Sequence, residues 1–84
     1  MGLNFAAQSR FEQAISHFKK AIVLKPEFAE AHNNLGSAST ALGRFDDAVS
    51  HFSEALNINP NFAQAQKNLA SVLERRSGKQ RTSF

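Results

Sequence analysis

Eighty-four residues make room for one small domain, near the lower end of what a single core can hold together. Hydrophobic residues make up 42% of the chain and charged residues 20%, which excludes a disordered polyelectrolyte, and no apolar run approaches the roughly 18–20 residues of a membrane span. The net charge of +3 is uneven: residues 1–66 hold five Lys/Arg against six acids, whereas residues 67–84 hold five against Glu74 alone. The basicity is thus a property of the C-terminal end, and nucleic acid is not favoured as a partner.

The chain has no cysteine, which excludes disulfides, thiol catalysis and cysteine-ligated metal. The opening "MGLNFAAQSR" has none of the charged-then-apolar layout of a secretory leader. Together these features lead us to expect a cytoplasmic location.

Taken in chain order, the first expected element is a short helix over about 2–8. The second, 10–24, carries Phe11, Ala14, Ile15, Phe18, Ala21 and Ile22 at i, i+3, i+4, i+7 spacing, the pattern of an amphipathic helix with one apolar stripe. The third, 27–42, follows "KPEF" and carries Phe28, Ala31, Leu35, Ala38 and Leu42. "LGRF" (42–45) then places Gly43 where a left-handed C-terminal cap is needed. The fourth helix, 44–58, repeats the stripe of the second with Phe45, Ala48, Val49, Phe52, Ala55 and Leu56. "NPNF" offers Asn59 as an N-cap with Pro60 in the first turn of a fifth helix, 61–76, before a basic tail over 77–84. No strand-type alternation is present, so the fold class is all-α.

The stripes repeat because the sequence does. Shifted by 34 residues, Gly2, Arg10, Phe11, Ala14, His17, Phe18, Ala21, Pro26 and Phe28 fall on Gly36, Arg44, Phe45, Ala48, His51, Phe52, Ala55, Pro60 and Phe62. Ala31, Asn34 and Leu35 likewise fall on Ala65, Asn68 and Leu69. Such a period marks units that stack because none can bury its own apolar face. Within a unit, "HNNLGSAS" gives a Leu35-Gly36 pair, followed by Ala48-x3-Phe52 and then Pro60. This resembles the tetratricopeptide repeat (TPR) family, a 34-residue helix–turn–helix. His32 and Gln66 stand in its usual Trp slot, and Ser39 and Leu73 in its Tyr slot. The resemblance covers residues 1–76 and implies a solenoid of about five antiparallel helices, roughly two and a half repeats. Its units are a partial repeat at 1–28, a full repeat at 29–62 and a closing helix at 63–76. Met1 falls on the slot of Leu35 and Leu69, so the first helix of the first unit is expected to be short, as in a fragment or a chain completed by a neighbour.

The resemblance also implies where a partner would bind. In TPR arrays the first helix of each pair lines a concave groove that holds an extended peptide or a partner helix. In this chain that face carries Glu30, Asn33, Asn34, Ser37 and Thr40, and one unit later Gln64, Lys67, Asn68 and Ser71. Asn34 and Asn68 stand one period apart. They match the asparagine ladder with which the O-GlcNAc-transferase-like TPR superhelix, the closest pattern, grips peptide main chain. An amide suits that task because it both donates and accepts. The alternative for the same residues is a solvated helix face. The carboxylate clamp of chaperone-binding TPR domains is matched only at Asn34, its Lys and Arg donors falling on Gln64 and Asn68.

Nothing in the sequence points to an enzyme, a metal or a cofactor. His17 and His51 lie a full unit apart on helices separated by another helix, too far to share one ion, and His32 occupies a packing slot. No Gly-rich phosphate loop or nucleophile–base set is present. The expected function is a protein-interaction module that holds a protein or peptide partner in the concave groove. The alternative is a self-associating structural unit, a homo-oligomer whose first repeat is completed by a neighbouring chain.

Overall fold

The computed structural model describes residues 4–77, and within them the chain forms four helices and no strand. They are α1 (Phe5–Leu24), α2 (Ala29–Ala41), α3 (Phe45–Ile58) and α4 (Ala63–Ser77). Each packs chiefly on its chain neighbours, and α2 also touches α4.

The helix count of five is corrected to four. The segments 2–8 and 10–24 do not form two helices; residues 5–24 are one helix of 20 residues. Two local features explain the run-through. Asn4 caps the start, its Oδ1 accepting the Ala7 N–H at 2.8 Å, so the helix nucleates ahead of the expected break. At the break itself stands Ser9, where the next unit has Gly43. Gly43 adopts a φ of +78°, which suits glycine and strains other residues. It ends α2 in a Schellman cap: Gly43 N–H donates to the Thr40 carbonyl and Arg44 N–H to the Ser39 carbonyl. Ser9 has no such freedom, and the chain runs on as helix.

The two Pro turns also differ from expectation, with α2 and α4 starting two residues later than 27 and 61. Phe28 N–H donates to the Lys25 carbonyl at 3.1 Å, and Phe62 N–H to the Asn59 carbonyl at 3.1 Å. Pro26 and Pro60 therefore sit second in four-residue turns, where their fixed φ is preorganised, and not in the first helical turn. Asn59 caps the end of α3 and accepts the Asn61 N–H through its side chain.

The core is one cluster written twice. Ile15, Leu35 and Ala38 join α1 to α2, with Phe11, Phe18, Ile22 and Leu42 packed around them. One period on, Ala48, Phe52 and Val72 gather Phe45, Val49 and Leu69. Even polar details repeat. His32 Nε2 lies 3.2 Å from the Pro26 carbonyl, and Gln66 Nε2 donates to the Pro60 carbonyl at 2.7 Å. Glu12 and Asp46, one period apart, each take an Arg from the following unit, Arg44 and Arg76. These exposed pairs contribute under about 1 kcal/mol each.

His51 on α3 gives this core a pH dependence. Burial pushes its pKa below the ordinary 6.5; Asp47 opposes the shift, while His32 and Lys19 add to it. The unfolded chain therefore binds more protons than the fold between 6.5 and the lower folded value. Stability is fully present above that window and falls as pH drops through it. His51→Gln should flatten the fall in unfolding midpoint between about pH 7.5 and about pH 5.5, checked by thermal melts against the parent.

Candidate functional site

The expected groove residues lie on α2 and α4, which the stacking places on the same side of α3. Small residues make this approach close. Gly36 of α2 faces the Phe52 ring so tightly that an added Cβ would stand 2.5 Å from Cε1. Phe52 in turn packs against Val72 of α4, so one ring spaces all three helices.

Above that ring the two helices leave a shallow cleft. Ser37 and Thr40 of α2 and Asn68, Ser71 and Arg75 of α4 line it, with Val72 and Phe52 at its floor. A second depression beside it is lined by Gln64, Lys67 and Asn68 with Ala63 and Gln66. Asn68 belongs to both. Of the nine expected residues, the structure brings Ser37, Thr40, Asn68 and Ser71 into one cleft and Gln64 and Lys67 into its extension. Glu30 and Asn34 are exposed on α2 and line neither depression.

Asn33 sits differently from its neighbour. It is buried, and its Oδ1 accepts the Asn68 Nδ2–H at 3.1 Å, a side-chain bridge between α2 and α4. The bridge fixes the Asn68 amide, leaving its second N–H and its carbonyl oxygen for a ligand. Thr40 Oγ1 donates to the Gly36 carbonyl at 2.8 Å, which spends its proton and leaves an acceptor toward the cleft. Ser37 and Ser71 add exposed hydroxyls that both donate and accept. Arg75 lies in the last turn of α4, where the helix dipole favours a cation. Arg75 is an addition to the expected residues, one helical turn beyond Ser71, and the Asn33–Asn68 bridge gave no sign of itself in the sequence, because the two positions are 35 residues apart and off the repeat period.

The arrangement presents donors and acceptors along a shallow track and holds no nucleophile beside a base. His32 is buried between helices, as its packing slot implied. Among the described residues, no group of three or more His, Cys, Asp or Glu is placed to hold a metal ion. No described helix is long and apolar enough to cross a membrane. The basic tail expected at 77–84 lies, from residue 78 onward, outside the described residues.

No curated protein matches the sequence closely enough to count as a relative. The family model described as "Tetratricopeptide repeat" matches residues 1–61, the stretch that holds α1, α2 and α3 with the Gly36–Phe52 contact and the Gly43 cap. With a helical unit that recurs every 34 residues and a core cluster formed twice at that period, the chain belongs to the tetratricopeptide repeat family.

Proposed function

We propose that this chain is a protein-interaction module that holds an extended peptide segment along the α2–α4 cleft, with Asn68 as its central contact. Tetratricopeptide repeats are protein-interaction modules. The carrying observation is the Asn33–Asn68 bridge, which orients one amide at the junction of both depressions. Asn34 lies one period before Asn68 and supplies a second amide farther along α2, the spacing of the main-chain ladder in O-GlcNAc-transferase-like TPR superhelices. Hydrogen bonds from amides and hydroxyls read peptide backbone whatever its side chains, so the module is tolerant of sequence. Its units are the partial repeat 1–28, the full repeat 29–62 and the closing helix 63–76, and the cleft spans the last two. The chemistry is binding alone.

Peptides selected from a displayed library of unstructured segments test this reading by fluorescence anisotropy. Each hydrogen bond lost should cost about 0.5–1.5 kcal/mol, so Asn34→Ala/Asn68→Ala should weaken binding about tenfold or more. Unchanged affinity in the double variant would remove the groove from consideration.

A second reading is favoured by a separate observation. Ala14, Phe18 and Ala21 of α1 are only partly buried, although their counterparts Ala48, Phe52 and Ala55 are withdrawn from solvent. An apolar helix face left open in this way supports self-association.

A further inference from the structure

We infer that copies of this chain join head to tail, the outer face of α4 in one copy packing on the open face of α1 in the next. The register is the one in which α2 packs on α3 within each chain. The inference rests on the self-association reading above and names its surfaces.

The joint is already built once inside the molecule. On its α2 side lie His32, Gly36 and Ser39, a stripe at i, i+4 and i+7 that is buried, with Gly36 against the Phe52 ring. On its α3 side lie Ala48, Phe52 and Ala55, all at 0–1% exposure. Among the described residues, each half recurs without its partner. One period after the first half, Gln66, Ala70 and Leu73 of α4 are all exposed, Leu73 at 40%. One period before the second half, Ala14, Phe18 and Ala21 of α1 are partly open. The molecule therefore carries both complementary halves of one helix–helix joint on different helices, and a second copy is the occupant that brings the matching half to each.

Of the three α4 positions Ala70 and Leu73 are apolar, and Gln66 stands where His32 does, each with its ring or amide nitrogen at the carbonyl of the preceding Pro. Leu73 replaces Ser39 and adds hydrophobic area, and Ala14, Phe18 and Ala21 are identical to the residues they stand for. Ala70 carries a methyl where Gly36 has none, so α4 stands slightly farther from Phe18 than α2 stands from Phe52. The contact is heterologous: each copy offers one α1 face and one α4 face, and both remain usable after the first contact forms. Such a contact builds open chains or rings, not closed two-fold dimers.

Sedimentation of the 84-residue chain over a wide concentration range reads this directly, with mass expected to climb past that of a dimer. Leu73→Glu on α4 and Ala21→Glu on α1 should each weaken association at least tenfold. Their equimolar mixture should form a 1:1 dimer and stop, since one variant keeps its α1 face and the other its α4 face. Circular dichroism must show native helix content in both. If Ala21→Glu unfolds, His17→Glu on the same stripe replaces it, that side chain being exposed. A parent chain that stays monomeric at the highest concentration overturns the joint and the self-association reading together. A parent that stops at a dimer, or variants that fail to recombine as a 1:1 pair, overturns the head-to-tail joint and leaves self-association standing.

Discussion

Phe52→Ala should cost about 3–5 kcal/mol of folding free energy, measured by urea or thermal unfolding. A chain of this size has a total stability of roughly 4–13 kcal/mol, so the variant should be marginal or unfolded near 37 °C. The magnitude follows from position. Phe52 is 1% exposed, touches Gly36 on one side and packs with Ala48 and Val72 on the other, and so joins three of the four helices. Truncation removes the transfer free energy of the ring and leaves a cavity that three helices cannot all collapse to fill. Phe18 is the internal control. It occupies the same slot one unit earlier but is only partly buried, and Phe18→Ala should cost measurably less. Equal losses would mean that the open face of α1 is covered in solution.

Gly36→Ala should destabilise the fold by about 1–3 kcal/mol, against the usual benefit of removing glycine from a helix. The helical preference for alanine is worth roughly 0.5–1 kcal/mol in the opposite direction. Packing wins because the new Cβ would lie 2.5, 2.6 and 2.8 Å from three atoms of the Phe52 ring, and that ring is itself locked in the core. Either α2 lifts from α3 or the ring leaves its position, and both loosen the floor of the cleft. Chemical denaturation of the variant beside the parent decides the sign; a gain in stability would show that the ring has room to move. Gly43 makes the useful contrast, since a Cβ there meets nothing within 4 Å and only the left-handed backbone resists substitution.

Much of this architecture could be read from the chain, because the same physical demand is written twice. The apolar stripes at helical spacing located the cores of α1 to α3, the 34-residue period added α4 and announced that the units stack, and Gly43 marked the sharp end of α2. What escaped was local competition. The run-through at Ser9 depends on a cap at Asn4 and on the absence of a left-handed residue, and repeat symmetry argued for a break there. Pro60 fits both a first helical turn and the second place of a four-residue turn, and only the Phe62-to-Asn59 hydrogen bond separates the two. Helical spacing put nine residues on one face, of which Ser37, Thr40, Asn68 and Ser71 share the cleft while Glu30 and Asn34 line neither depression. It could not distinguish Asn33 from Asn34, since a rotation of one residue on α2 decides which amide turns inward toward Asn68.

Neighbour-on-neighbour stacking has a kinetic consequence. Most contacts in this molecule join helices adjacent in sequence, so few long loops must close before burial begins to favour order. Topologies of this kind fold in microseconds to milliseconds, and ordering can begin at any well-packed pair and spread outward. The α2–α3 pair, with Gly36 and Phe52 at its centre and a neighbour on each flank, is where ordering is expected to begin, which φ-values for Phe52 and Phe18 variants would check. Early consolidation of that middle pair would shorten the time during which the apolar stripes of an incomplete chain lie open to unwanted aggregation.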